Sequence, residues 1–170
     1  MLLLMLGNGL QGTLLGVRGS LEGFDPQTMS FIMSCYFLGF LLGSRLAPRM
    51  IRRVGHVRVF AALGSMISAV LIMYAVAPNW IARVVLRVLI GFSFSGVYIT
   101  AESWLNSAST NETRGQALSL YLIMQMVGII MAQILLNVGD PSGFILFVIP
   151  SILVSLAFTP ILLTVSQAPA

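Results

Sequence analysis

Lysine is absent from this 170-residue chain, and all nine basic residues are arginine. Five acidic residues, one histidine and one cysteine complete a very short list of reactive groups. Charged residues make up only 8% of the chain, against about 25% in an ordinary soluble domain. So few charges cannot coat a water-soluble ball of this size. The single Cys35 rules out an intrachain disulfide. The single His56 rules out a histidine-based metal cluster and a serine–histidine pair within the apolar segments. No glycine loop of the phosphate-binding kind is present, so nucleotide hydrolysis is not expected. What is abundant is apolar: 58% of residues are hydrophobic and the mean hydropathy is +0.98. Disorder is excluded by the same figures, and an integral membrane protein is the class that remains.

A hydrocarbon core of about 30 Å takes about 20 apolar residues as helix. Six stretches qualify, at about residues 1–17, 28–47, 57–77, 80–105, 116–137 and 143–165, with ends good to about two to four residues. The breakers Asp25-Pro26, Pro78-Asn79 and Gly139-Asp140-Pro141 with Gly143 separate them. The period-2 alternation of barrel strands is missing. The first stretch lacks a charged start and a clear cleavage site, so it reads as a retained helix. It begins abruptly at Met1, which points to a few native residues missing before it. The expected fold is all-α: one transmembrane domain over 1–170.

The formal charge of +4 reads as topology and not as a nucleic-acid footprint. Arg49, Arg52 and Arg53, flanked by Arg45 and Arg58, crowd the second-to-third connection, and Arg114 sits in the fourth-to-fifth. Arginine-rich short loops stay in the cytoplasm. Both termini are therefore expected inside, in a multi-pass protein of the cell's inner membrane.

Polar groups within apolar helices are costly and so informative. At 100° per residue, Arg83, Arg87, Gly91, Ser95, Tyr98 and Glu102 fall within about 120° on the fourth helix. Such a stripe should face a cavity or other helices. Arg83 is near enough to the helix end to snorkel, whereas Arg87 lies a turn deeper. Asn8, Gln11 and Arg18 form a second stripe on the first helix. On the fifth, Tyr121, Gln125 and Gly128 share a side, with Gln133 turned away. Cys35, Gly39 and Gly43 recur every four residues on the second helix, a spacing that lets helix backbones approach closely. Pro150 and Pro160 should bend the sixth helix.

These pieces together resemble the N-terminal half of a major facilitator superfamily (MFS) transporter. Residues 48–58, Pro48-Arg49-Met50-Ile51-Arg52-Arg53-Val54-Gly55-His56-Val57-Arg58, are similar to the superfamily's loop motif. Arg53 and Gly55 match it, while Pro48 replaces the first glycine and Arg52 replaces the aspartate. Arg87-Val88-Leu89-Ile90-Gly91, followed by Gly96, resembles the fourth-helix motif of proton-coupled members. Ala101-Glu102-Ser103-Trp104-Leu105-Asn106, with Asn111-Glu112-Thr113-Arg114-Gly115, Leu118 and Tyr121, resembles the YcaD-type bacterial permeases. The fifth-helix antiporter motif is replaced by Gly128-Ile129-Ile130-Met131-Ala132-Gln133.

The resemblance implies two inverted three-helix repeats and secondary active transport of a small solute by alternating access, coupled to protons. It implies no enzyme activity, cofactor, metal or nucleic acid. The expected cavity residues are Asn8, Gln11, Arg87, Ser95, Tyr98 and Gln125, with Arg87 tied to proton coupling. The expected cytoplasmic gate is Arg53, Gly55, Arg58, Glu102 and Arg114, with Glu102 pairing with one of the arginines. The partners implied are the solute, protons, the bilayer, and a C-terminal six-helix half or a second copy. Two other readings stay open: a non-transporting fragment or scaffold, and a homo-oligomeric channel.

Overall fold

A computed structural model describes residues 1–77, 79–140 and 145–163. The described residues form six α-helices and no strand: α1 (Leu2–Leu21), α2 (Pro26–Val54), α3 (His56–Val76), α4 (Trp80–Ala108), α5 (Arg114–Val138) and α6 (Ile145–Leu163). Four of them, α2, α3, α4 and α5, are long and apolar enough to cross a membrane. The expected sixth segment began at 143 and ended at 165; both ends fall outside the described residues, as do Pro78 and Pro141. Pro150 and Pro160 lie inside α6.

Most helix ends follow local chemistry. Pro26 opens α2 at a first-turn position, where a missing N–H costs nothing. The Asn79 side chain accepts the Ala82 N–H at 2.9 Å and caps α4. Thr110 and Thr113 hydroxyls lie 2.9 Å apart across the α4–α5 turn.

Two ends differ from the sequence expectation. The basic stretch 48–54, expected as loop, is helical, and α2 runs through Pro48 to Val54. Arginine and methionine are good helix formers, and Ala47, beside the proline, is buried and holds that turn in place. The connection shrinks to Gly55, whose φ of +84° is the left-handed conformation that glycine adopts without penalty. Likewise α1 does not stop at Val17 but continues to Leu21, and Arg18 pairs with Glu22 one turn on at 3.0 Å. The first charge marked the end of the apolar run, not of the helix.

The core lies among α1, α3, α4 and α6, where Phe60, Tyr74, Phe94 and Phe147 are fully enclosed. By contrast α2 adds only Ile32 to it and α5 none of its buried residues, and both expose apolar side chains along much of their length. α4 packs on α2 and α3, α1 packs on α5 and α6, and α3 packs on α6. A Cβ on Gly39 would run into the backbone carbonyl of Val88, and one on Gly91 into that of Tyr36. The α2–α4 contact is therefore backbone against backbone. The α1–α5 contact is built alike: a Cβ on Gly128 would come within 2.7 Å of the Leu2 carbonyl oxygen.

Candidate functional site

Side chains of α1 and α4 meet in an antiparallel polar ladder. Arg87 Nη1 donates to Gln11 Oε1 at 2.8 Å. Gln11 Nε2 donates to Asn8 Oδ1 at 3.0 Å. Asn8 Nδ2 donates to the Tyr98 hydroxyl oxygen at 2.6 Å, and that hydroxyl points on to Met5 Sδ at 3.6 Å. Further along, Arg83 pairs with Glu22 just past the end of α1. As α1 is read backwards from 22 to 11 to 8, α4 is read forwards from 83 to 87 to 98. From 83 to 98 is about 22 Å of helix at a 1.5 Å rise per residue, most of a bilayer core.

Burial makes the ladder expensive to break. Arg87 is 5% exposed and Gln11 2%. The Arg87 guanidinium stacks 4.8 Å from the Tyr36 ring centroid, an arrangement that favours a cation. Its Nε is buried without an acceptor, and so is the nearby Tyr74 hydroxyl. A buried donor left unmatched costs about 1–3 kcal/mol.

The Arg83 side chain does not snorkel. It is 4% exposed, bound to Glu22 and stacked 5.0 Å from the Phe24 ring. Glu22 also holds Arg18, which lies over Phe147. The extra turn of α1 is what delivers Glu22 to this place, so an α1 ending at Val17 hid the pairing.

The remaining cavity candidates separate. Ser95 is fully buried on the α2 side of α4, where a Cβ on Gly43 would lie 3.0 Å from its own Cβ. It belongs to the helix contact made by Gly39, Gly43 and Gly91, and not to the ladder. Cys35 is buried on α2, one turn before Gly39. Gln125 is half-buried on α5, one turn from the buried Tyr121. Gln133, expected to turn away, donates from Nε2 to Thr13 of α1 at 3.1 Å.

At the end of the bundle opposite Glu22, the five gate candidates do not form one cluster. Glu102 accepts from the Tyr121 hydroxyl at 3.3 Å and makes no ion pair with Arg53, Arg58 or Arg114 among the described residues. Glu102 and Arg114 instead line one open groove of about 610 Å³ with Ser103, Asn106 and Ser107. Arg53 and Arg58 are exposed on either side of the Gly55 turn. His56, which the sequence placed in a loop, is buried and shares a hydrogen bond of 3.0 Å with Ser103. Tyr36, Tyr74 and His56 carried no sequence signal beyond a polar atom in an apolar run. Among the described residues no His, Cys, Asp and Glu side chains group as a metal site.

Comparison with known proteins is consistent with this arrangement. The sequence profile of the Major Facilitator Superfamily matches residues 1–170. An uncharacterized MFS-type transporter of Enterobacter sp., Ent638_1421, is 24% identical over 137 residues, covering 81% of this chain and 36% of that protein. The uncharacterized MFS-type transporter YcaD of Salmonella arizonae is 25% identical over 150 residues, covering 88% of this chain and 39% of that protein. The chain thus spans well under half the length of these curated relatives. No solved structure matches it.

Proposed function

The chain belongs to the Major Facilitator Superfamily, and from that premise we propose that it is the N-terminal six-helix half of a secondary transporter working by alternating access. A membrane-embedded transport role is what the family supports. The finer reading is carried by one observation: a buried polar ladder, Arg87–Gln11–Asn8–Tyr98, joining two helices of an apolar bundle. Polar side chains at that depth are costly, and they line one face of α1 and one of α4. Gly12 and Gly16 continue the α1 face with open space before them. In this reading α1 and α4 wall the solute path, with Gln125 on its α5 flank.

The packing pattern supports two inverted repeats. Exchange α1, α2 and α3 for α4, α5 and α6, and the pairs α2–α4, α3–α4 and α3–α6 become α5–α1, α6–α1 and α6–α3, all of them close contacts. In this reading α1 and α6 also cross the membrane. The arginine-rich α2–α3 junction and Arg114 face the cytoplasm, in the inner membrane, with both termini inside. Glu102 and Arg114, with Arg53, Gly55 and Arg58, form the inner gate, and the second half or a second copy completes it. The solute moves with protons. Arginine itself keeps its proton, so Arg87 acts on coupling by holding a titratable partner.

The test is reconstitution of the full-length transporter in liposomes with an imposed proton gradient. Saturable, gradient-dependent accumulation is expected. Unsaturable flux that ignores the gradient would point to the channel, and no flux of any solute to the scaffold.

A further inference from the structure

Arg83 and Arg87 sit one turn apart on α4, both about nineteen-twentieths buried, yet their charges are met differently. Arg83 has a carboxylate, Glu22. Arg87 has none among the described residues. Its neighbours are the neutral Gln11 amide at 2.8 Å, the Tyr36 ring at 4.8 Å and the Tyr74 hydroxyl, and none of them carries a negative charge. An arginine cannot shed its charge by losing a proton, and a buried charge without a counterion is strongly unfavourable. The Nε edge of the guanidinium is buried with no acceptor, and so is the Tyr74 hydroxyl, which lies within the electrostatic reach of Arg87. Two unmatched donors and one unmatched positive charge therefore converge at one place.

We infer that the solute carries a carboxylate that seats on the unmatched Nε edge of Arg87 beside the Tyr74 hydroxyl. The inference rests on the transport reading above and specifies its substrate class. A carboxylate supplies two acceptor oxygens in one plane, the geometry a guanidinium fork takes. Gln11 and the Nε edge are enclosed in this structure, so the solute reaches them when α1 moves off α4, as alternating access requires. The remainder of the solute meets Asn8, Tyr98 and Tyr36, which are polar or aromatic and uncharged. Between Glu22 at one end of the ladder and Glu102 at the other, neither α1 nor α4 carries an acid to receive an ammonium. Toward α1 and α4 the solute accordingly presents a carboxylate with an uncharged remainder. The carboxylate is also the titratable partner that proton coupling needs beside Arg87.

The experiment compares acids with their amides on the purified full-length transporter. Thermal unfolding is followed with acetate, lactate and benzoate, with acetamide, lactamide and benzamide, and with sodium chloride at equal ionic strength. At least one carboxylate is expected to raise the unfolding temperature saturably while its amide does not. In Arg87→Lys, which keeps the charge and loses the fork, half-saturation is expected to move up about tenfold or more. The inference is overturned if no carboxylate exceeds chloride, if an amide does as well as its acid, or if Arg87→Lys responds like the parent. A carboxylate supplied by the second half would occupy the site already and give the first of those results. Liposome uptake separates the two readings. Stabilisation by a carboxylate that is never taken up keeps the carboxylate site and removes the transport reading. Uptake of amides with no carboxylate response keeps transport and removes the carboxylate.

Discussion

α4 meets α2 and α1 in two physically different ways. Toward α2 it offers Gly91 and Ser95, where the backbones touch across Gly39 and Gly43, while the Arg87 and Tyr98 side chains also lie against Tyr36 and Phe40. Toward α1 it offers Arg83, Arg87 and Tyr98, and the contact is made at the tips of polar side chains. The first contact is rigid, since a backbone carbonyl cannot move aside for a new methyl group. The second is adjustable, since each hydrogen bond ends on a side chain with its own torsions. In the proposed alternating-access reading, α4 holds one neighbour while its other face exchanges partners, which takes both kinds of contact. The six residues of the 120° stripe read as one polar face in the sequence; the fold divides five of them between these two neighbours and turns Glu102 to Tyr121 of α5.

The sharpest way to break this comparison is Gly39→Ala. Its Cβ would meet the Val88 carbonyl, and overpacking against backbone is expected to cost about 3 kcal/mol. Thermal unfolding in detergent checks it; an unchanged unfolding temperature would mean that α2 and α4 slide freely.

Arg87→Ala comes next. It strands the Gln11 carbonyl oxygen, a cost of about 1–3 kcal/mol, but also removes a buried charge that has no counterion, so net stability changes little and the protein still inserts. Gradient-driven uptake is expected to fall by about tenfold or more, matching the loss of a charge-assisted contact. Full uptake in this variant would remove Arg87 from the coupling step.

Charge reversal at Glu102 addresses the far end. Glu102→Arg places a cation in the open groove with Arg114, where like charges about 4 Å apart in water repel by about 1 kcal/mol. In a Cys35→Ser background with one reporter cysteine on the cytoplasmic side of the path, labelling is expected to speed up about fivefold. An unchanged labelling rate would release Glu102 from the gate.

The smallest effect is expected from Tyr98→Phe. The ring keeps its packing beside Phe40 and Phe94, and the bond from Asn8 is lost with the weak one to Met5 Sδ. A single membrane hydrogen bond of this kind is worth about 0.6 kcal/mol. A much larger loss of stability would show that the ladder behaves as one cooperative unit.

The fold was legible where the signal is local. Apolar runs of about twenty residues mark six helices, because hydropathy and helix length are both properties of contiguous sequence. The close-packing spacing of Gly39 and Gly43 and the polar stripes of α1 and α4 are likewise periodicities along one helix. Sequence reasoning ended α1 at the first charge and called 48–54 a loop. Both errors have one cause: hydropathy reports where apolar character stops, while the helix continues as long as propensity and packing permit. Ser95 was assigned to the solute path because a wheel gives direction, with no information on which neighbour stands there.

The sequence alone therefore determined the class of protein, the helices and which of their faces are polar. The tertiary structure alone decided who answers whom: Glu22 to Arg83, Gln11 to Arg87, Asn8 to Tyr98, Tyr121 to Glu102, Ser103 to His56. The physical reason is distance along the chain. Asn8 and Tyr98 are separated by 90 positions and Gln11 and Arg87 by 76, and no local periodicity couples residues so far apart. Only the antiparallel register of α1 on α4 brings them together, and that register follows from how α1, α3, α4 and α6 share one core.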